Sequence, residues 1–353
     1  MSGYIKRASY LIMGGLCAAG LFSTAQAAGV EIHGYGYQDY VQANGNAYLG
    51  ADGKGSWDNN FLGLVGAVHI NDKSKLWAQL QASSMDQNRF TWFFVDYQFT
   101  NQLRGHIGRV KLPMGLYNEV IDAKYLQVSQ LEPLMYQGAS DMVYDAYHGL
   151  GLDYDHDVGG GHLMWQVYGG NIYDYTFDPA TSDAQDRRTF GGRVTYETPV
   201  DGLKFLLTLN RTQLQVISGG VRDSAIKNED RAMLSASYVT DKYDLKAEYA
   251  HHKNFDATSL GYYIQAAYTL NDSWKPYVRY DYFTTDKSQK SDPSFYQKTF
   301  MVGVEYKIGP GVSVRVEDHF NRGYALPAVE PEPFAGTPKT NWGLFVAGLN
   351  FAF

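Results

Sequence analysis

The sequence has almost no cysteine and no long apolar run in its body, and each shortage excludes a class of protein. Its one cysteine is Cys17, which lies in an N-terminal segment that we expect to be removed. A mature chain without cysteine has no disulfide, no thiol nucleophile and no cysteine-ligated iron–sulfur cluster. Beyond that segment, no apolar run reaches the ~18 residues that a membrane-spanning helix requires. Helical membrane spans are therefore excluded.

The first 27 residues are predicted to be a cleaved signal peptide. Lys6 and Arg7 form a positive start, residues 8–22 are mostly apolar, and Ala25-Gln26-Ala27 matches a cleavage site of the A-x-A type. We expect a mature chain of 353 − 27 = 326 residues that forms one domain, 28–353. These features are typical of an exported bacterial protein.

Two alternatives for this segment are an uncleaved membrane anchor and a lipoprotein cleaved before Cys17. The apolar stretch is short for a membrane span. Gly14 stands where a lipoprotein motif would have leucine. Both alternatives are therefore disfavoured.

The charge of the chain argues against nucleic acid as a partner. Lys and Arg number 30, Asp and Glu number 37, and without the two bases of the signal peptide the net charge is (30 − 2) − 37 = −9. Aromatic residues make up 15% of the chain, and 29 of them are tyrosines. Tyrosine suits strands and membrane interfaces, where the ring is buried and the hydroxyl is hydrated.

The C-terminus carries an alternating apolar pattern to its last residue. One face of the final strand consists of Phe345, Ala347, Leu349, Phe351 and Phe353. Period two is the mark of a strand with one apolar face. An exposed strand of this kind invites aggregation in a soluble protein, whereas a closed barrel in lipid has no free edge and needs such a face.

Short turns and long polar connections alternate along the chain, which predicts an all-β fold. Seven tight turns are rich in Asn, Asp, Gly and Pro: Asn71-Asp72-Lys73, Thr100-Asn101-Gln102, 157–161, 199–202, Thr240-Asp241-Lys242, Asn271-Asp272-Ser273 and Gly309-Pro310-Gly311. Eight loops lie at roughly 43–58, 84–88, 111–146, 171–186, 212–229, 252–258, 285–295 and 321–338. Fifteen connections give sixteen strands, hence a 16-stranded antiparallel transmembrane β-barrel with short turns and both termini on the periplasmic side. A soluble two-sheet sandwich is the alternative.

Alternation within the strands assigns their two faces. The predicted lipid-facing residues include Leu62, Leu64, Val68 and Ile70; Leu203, Phe205, Leu207 and Leu209; Leu260, Tyr262, Ile264 and Tyr268; Val278, Tyr280 and Tyr282; Phe300, Val302, Val304, Tyr306 and Ile308; and Val312, Val314 and Val316. The positions between them are often charged, as at Lys275, Arg279, Asp281, Glu305, Arg315, Glu317 and His319. Charges opposite the lipid face predict a hydrated interior.

The longest connection, 111–146, follows the fifth predicted strand and is moderately apolar. A loop surrounded by water would not need Leu116, Ile121, Leu126 or Leu131. We therefore expect it to fold inward against the wall and narrow a barrel that sixteen strands would leave wide. A surface lid or an adhesive loop is the alternative.

Around this loop the sequence resembles the sixteen-stranded trimeric porins of Gram-negative bacteria. In that family a Gly-Arg pair ends the fifth strand before an inward-folded third loop, and Gly108-Arg109 matches it. The resemblance implies that Arg109 is a wall base of the pore constriction, that Phe353 is read by the barrel insertion machinery, and that the protein forms a homotrimer. Residues 108–116 also resemble phosphate-selective porins.

The loop departs from both patterns. The Pro-Glu-Phe-Gly segment of general porins is missing. Lys111 and Lys124 stand against five acids, Glu119, Asp122, Glu132, Asp141 and Asp145, a balance of 2 − 5 = −3. The short second loop, 84–88, does not support the latch that contacts a neighbouring subunit in enteric porins.

The predicted function is passive diffusion of small hydrophilic solutes and ions through a water-filled pore, with outer-membrane lipids as the surroundings. We expect Arg109, Lys111, Lys124, Arg193 and Arg279 as bases and Glu119 and Asp122 as acids of the constriction, where opposed charges would produce a transverse field. No cofactor, metal site or catalytic residue is predicted.

Other functions remain open from sequence alone. A solute-specific channel for anions such as phosphate, or for sugars, would use inward aromatic residues, for which Tyr35, Tyr37, Trp77, Tyr263 and Tyr277 are candidates. An outer-membrane barrel hydrolase is disfavoured because no histidine lies in a nucleophile motif. Asp153, Asp155 and Asp157 with His156 read as a solvated turn rather than a metal site, because the Ca²⁺ loop pattern is missing.

Overall fold

The computed structural model describes residues 29–84, 89–173, 184–218, 221–254, 256–327 and 338–353. The predicted signal peptide, with Cys17 and its cleavage site, lies outside these residues, as do parts of the second, fourth, fifth, sixth and eighth predicted loops.

A single antiparallel sheet closes on itself to form the barrel. Among the described residues, sixteen long strands and one short strand make up the sheet: β1 (Val30–Asn44), β2 (Asn60–Asn71), β3 (Ser74–Ser83), β4 (Arg89–Gln98), β5 (Leu103–Lys111), β6 (Ala146–Val158), β7 (Gly161–Tyr173), β8 (Ala184–Glu197), β9 (Leu203–Ser218), β10 (Val221–Arg222), β11 (Lys227–Val239), β12 (Tyr243–Lys253), β13 (Thr258–Tyr268), β14 (Trp274–Thr284), β15 (Tyr296–Gly309), β16 (Val312–Arg322) and β17 (Asn341–Ala352). β1 pairs with both β2 and β17, so the sheet has no free edge. The predicted 16-stranded antiparallel barrel is confirmed, with β10 a two-residue addition to β9.

The strands alternate between an apolar outer face and a polar inner face, as their sequence predicts. In β13, Ile264 is 65% exposed whereas the next residue, Gln265, is 1% exposed. Leu150, Leu207 and Phe300 are likewise exposed on other strands. A closed sheet whose exposed face is this apolar satisfies its backbone internally and offers hydrocarbon to its surroundings, which is what a lipid bilayer requires.

The connections follow the predicted order of short turns and long loops, with one difference in bounds. The strands β9 and β11 continue to pair up to Leu214 and Lys227, inside the predicted loop 212–229. The predicted bounds of this loop were too wide, because backbone pairing does not need apolar side chains and strands can extend beyond an apolar band. The other regular elements bounded within the described ranges are single turns of 3₁₀-helix: Asn118–Val120, Lys124–Leu126, Leu134–Tyr136, Gly138–Ser140 and Lys287–Gln289. Among the described residues, no helix is long and apolar enough to cross a membrane.

The backbone at Gly108 changes the parity of β5. Ile107 is exposed, yet Arg109, two positions later, is buried. β5 stays in regular register with β4 and β6, so no bulge causes this change. Gly108 instead has φ +143°, and a Cβ there would lie 2.8 Å from Phe94 Cα and contact the Phe93 carbonyl. Only glycine supplies this close approach.

Candidate functional site

The connection between β5 and β6, residues 112–145, lies against the inner face of the barrel. We call it the long loop. Asn118 fastens its two ends, because its Nδ2 donates to the carbonyl oxygens of Leu112 and Tyr144, at 2.9 Å each. Its apolar side chains are buried with inward-facing residues of the wall: Leu112, Met114, Leu131, Leu134, Met135 and Met142. The apolar character of the loop thus reflects packing within the barrel.

Gly115 allows the first turn of the long loop to approach the wall. Its φ is +60°, and a Cβ there would lie 2.6 Å from Oε1 of Glu248 and contact the Tyr136 hydroxyl. Glu248 on β12 accepts hydrogen bonds from the Leu116 N–H at 2.9 Å and from the Tyr136 hydroxyl at 2.8 Å. Burial and the Glu248 carboxylate raise the pKa of Tyr136, so its phenol keeps the proton that it donates.

Two predicted bases meet predicted acids of the long loop directly. Arg193 Nη1 lies 2.6 Å from Glu119 Oε2 and also donates to the Gly115 carbonyl at 3.1 Å. Lys111 Nζ lies 2.9 Å from Asp122 Oδ2 and contacts Asp145. These groups are brought together as ion pairs rather than placed on opposite sides of a gap, so their charges largely cancel locally.

The other predicted bases are held in different ways. Arg109 donates from Nε to the Thr91 carbonyl at 2.6 Å, and its Nη2 lies 3.7 Å from Asp145 Oδ2. Lys124 pairs within the long loop, with Nζ 2.5 Å from Glu132 Oε2. The role of all seven predicted constriction residues in selectivity stays a prediction.

Arg279 lies beneath the long loop. Its Nη1 donates to the Leu131 carbonyl at 2.8 Å and to Ser129 Oγ at 2.6 Å, and its Nε donates to Asp281 at 2.7 Å. With 1% of its surface exposed, this guanidinium is satisfied by the loop and the wall. It binds the loop directly.

The sequence pointed to inward charges at Arg315, Glu317 and Asp281 but gave them no partner. In the structure, Arg315 donates to the carbonyls of Lys124 and Gln127, at 2.7 Å each. Carboxylates on β14 and β16 accept loop N–H groups. Glu248 was missed altogether. The available signal was the alternation of acids and bases at inward positions of neighbouring strands.

The long loop reaches opposite sides of the wall. Gly115 N donates to Thr208 Oγ1 on β9 at 3.4 Å, whereas Gln130 Nε2 donates to Asp39 Oδ1 on β1 at 2.6 Å and to Asn350 on β17 at 3.1 Å. β1 and β9 face each other in a ring of sixteen strands. The loop therefore spans the interior.

A small cavity remains beside the loop. It has a volume of about 30 Å³ and is lined by Tyr35, Gln79, Trp92, Lys111, Glu119 and Tyr125, among others. A space of this size has room for one or two water molecules.

Two of the inward aromatic residues that were candidates for a sugar path, Tyr263 and Tyr277, donate hydrogen bonds to the buried carboxylates of Glu248 and Glu317.

The acids near the turn 159–160 do not converge on one point. Asp153 is buried and pairs with Arg104 at 3.3 Å, whereas Asp155 and Asp157 lie 3.5 and 3.0 Å from His162. Within the described ranges, no group of three or more His, Cys, Asp or Glu side chains is placed to hold a metal ion.

The terminal Phe353 closes the seam between the first and last strands. Its N–H donates to the Gly34 carbonyl at 2.7 Å, and its carbonyl accepts from the Gly34 N–H at 2.8 Å. A Cβ at Gly34 would lie 2.6 Å from Cε2 of the Phe353 ring. The C-terminal aromatic ring is thus seated on a glycine of β1.

No family model matches the sequence, and no curated protein matches it. Solved porin-like structures do match the fold. An anion-selective porin from Comamonas acidovorans is 14% identical with a TM-score of 0.60, over 92% of this chain and 99% of that one. OmpF of Salmonella typhi, in complex with daunomycin, is 15% identical with a TM-score of 0.59, over 92% and 97%. OmpT of Vibrio cholerae, folded in vitro in a trimer form, is 11% identical with a TM-score of 0.57, over 92% and 99%.

At such identities the likeness establishes the fold. The chain has the fold of the Gram-negative porins. Together with its apolar outer face, this is the architecture of a Gram-negative outer-membrane protein.

Proposed function

We propose that the protein is a porin-type channel for passive diffusion of small hydrophilic solutes and ions, and that the long loop sets its bore. One observation carries the proposal: the barrel is apolar outside and lined inside by charged and polar side chains. Arg193, Arg279 and Arg315 all point inward and are buried. A barrel that served only as an anchor would not need charges on that face.

The long loop contacts opposite sides of the barrel wall, which indicates whether the structure represents an open or a narrow channel. We take this conformation as the narrow state of the channel, in which wall bases hold the loop across the interior. Conduction then requires the loop, or the side chains beside the cavity at Lys111 and Glu119, to move. In this proposal the seven predicted constriction residues act mainly by positioning the long loop. They also set the net charge that remains beside the loop in the pore.

A homotrimer is part of the proposal. It is supported by the trimer form in which the Vibrio cholerae neighbour was solved. We also propose that the mature chain is the domain 28–353 and that the insertion machinery of the outer membrane recognises Phe353.

The test is electrical. Purified mature protein in a planar bilayer is expected to give conductance steps that increase linearly with salt concentration, as in a general pore. If one solute blocked the conductance at micromolar concentration, the protein would be a solute-specific channel and not a general pore. Protein that inserts but gives no steps would exclude diffusion. An outer-membrane hydrolase is the competing class, and hydrolysis of phospholipid or peptide by the same preparation would establish it.

A further inference from the structure

Four charged side chains on the inner face of two wall strands bind the backbone of the long loop. They are Arg279 and Asp281 on β14 and Arg315 and Glu317 on β16, and we call them the β14–β16 row. All four are at most 1% exposed. The segment that they hold is 124–134.

The two guanidinium groups of the row bind carbonyl oxygens. Arg315 donates to the carbonyls of Lys124 and Gln127, at 2.7 Å each, and to that of Ser129 at 3.3 Å. Arg279 donates to the carbonyls of Leu131 and Glu132, at 2.8 and 3.2 Å. Such charge-assisted hydrogen bonds are stronger than neutral ones.

The two carboxylates of the row bind N–H groups of the same segment. Glu317 accepts from the N–H of Gln130 at 2.5 Å and from that of Leu131 at 3.3 Å. Asp281 accepts from the N–H of Leu134 at 3.2 Å. The one side chain of the segment that the row itself bonds is Ser129, through its hydroxyl. Recognition is therefore mostly of amide groups, which every peptide carries.

The row is held in place by wall partners independently of the long loop. Arg315 Nε donates to Glu305 at 3.1 Å, and Arg279 Nε donates to Asp281 at 2.7 Å. Glu317 accepts from the Tyr277 hydroxyl at 2.9 Å and has His319 Nε2 at the same distance. Side chains fixed in this way keep their geometry when the occupant leaves, which favours rebinding of a similar ligand.

We propose that the β14–β16 row is a binding site for extended peptide backbone, whose resident ligand is the chain's own segment 124–134. Short peptides are then the solute class that competes with the long loop and widens the channel. This inference rests on the proposed channel function. Because the segment is tethered, its effective concentration is on the order of millimolar, so a free peptide must be supplied at that concentration or above.

A disulfide tether tests the proposal without altering the row. A Cβ at Gly261 on β13 would lie 2.8 Å from Met135 Cβ in the long loop, and a disulfide needs about 3.8 Å. The double variant Gly261→Cys/Met135→Cys should therefore form the bond after a small shift, in a mature chain with no other cysteine. Each single variant is a control for the effect of the new side chain.

The measurement is multichannel conductance with N-acetyl-triglycine amide, an uncharged peptide without large side chains, at up to about 20 mM. In wild type and in the reduced double variant, the peptide should raise salt conductance at least twofold. In the oxidised double variant it should have no effect, and reductant should restore the response. Lactose at equal concentration is the control solute and should not raise conductance.

The failures are distinguishable. No salt conductance from inserted wild type, measured before any peptide is added, would overturn the channel and this inference with it. Salt conductance that the peptide does not raise in wild type would overturn the peptide site alone. An equal response to lactose, or an equal peptide response in the oxidised and reduced double variant, would also overturn it.

Discussion

Arg193 on β8 and Glu119 in the long loop form an ion pair, with Nη1 and Oε2 2.6 Å apart and both side chains largely buried. Lys111 and Asp122 form a second pair, at 2.9 Å. Both pairs join the wall to the loop. An ion pair in contact leaves little net charge in the pore, whereas loss of one partner leaves a full charge at that point.

Neutralising the acids of these pairs should change ion selectivity. Glu119→Gln with Asp122→Asn removes the acid that pairs with Arg193 and one of the two acids that pair with Lys111, so the permeability ratio of cations to anions should decrease. The reversal potential in a planar bilayer under a salt gradient measures this ratio. The control, Asp286→Asn with Asp292→Asn, removes the same charge from an exposed connection and should leave the potential unchanged. An unchanged potential in the Glu119/Asp122 variant would remove both residues from the constriction.

Gly115→Ala should loosen the long loop. Alanine at φ +60° costs ~1–2 kcal/mol, and its Cβ would also displace the Glu248 carboxylate or the Tyr136 hydroxyl. Protease cleavage inside 112–145 in detergent-solubilised protein should therefore become several times faster. Gly138→Ala is the matched control, because a Cβ there has no heavy atom within 4 Å. Equal cleavage of the two variants would contradict the account of Gly115.

A charge on the outer face of β13 should destabilise the barrel in lipid. Ile264 lies at the middle of its strand and is 65% exposed, and arginine near the bilayer midplane costs ~2–4 kcal/mol. Ile264→Arg should lower the urea midpoint of unfolding in vesicles. Ile226 is 55% exposed but precedes the start of β11, so Ile226→Arg should have little effect. Midpoints that agree for the two variants would place Ile264 away from hydrocarbon.

The last residue should control assembly. Deletion of Phe353 removes the two backbone hydrogen bonds to Gly34 and the ring that covers it. We expect a several-fold decrease in heat-modifiable barrel in the outer membrane. Phe353→Tyr keeps the backbone bonds and an aromatic ring, and it should assemble at nearly the wild-type level. Normal assembly of the deletion variant would exclude Phe353 as an insertion signal.

The faces of the strands were predictable because they depend on parity alone. Phe190 and Val194 alternate with Arg193, so Arg193 had to lie on the inner face, and it does. The same argument placed Arg279, Arg315 and Glu317. The strand count was also predictable, because turn residues mark each hairpin locally.

The partners of those inward charges were not predictable. Whether Arg315 meets Gln127 or another residue depends on the stagger of all strands between them and on the path of the long loop, which no local pattern encodes. Gly108 illustrates the same limit within one strand: strict alternation would put Arg109 on the face of Ile107, but the positive φ of Gly108 places it on the other face.

The long loop is synthesised well before much of the wall that surrounds it. Gln130 bonds to Asn350, 220 positions later in the chain, and Arg315 binds Gln127 across 188 positions. Contacts of such high sequence separation carry a large closure entropy and form late in folding. The long loop can therefore complete its contacts with the wall only after the final strands are in place. Pairing of β1 with β17 and docking of the long loop in the barrel interior are then expected to occur together, in one cooperative step.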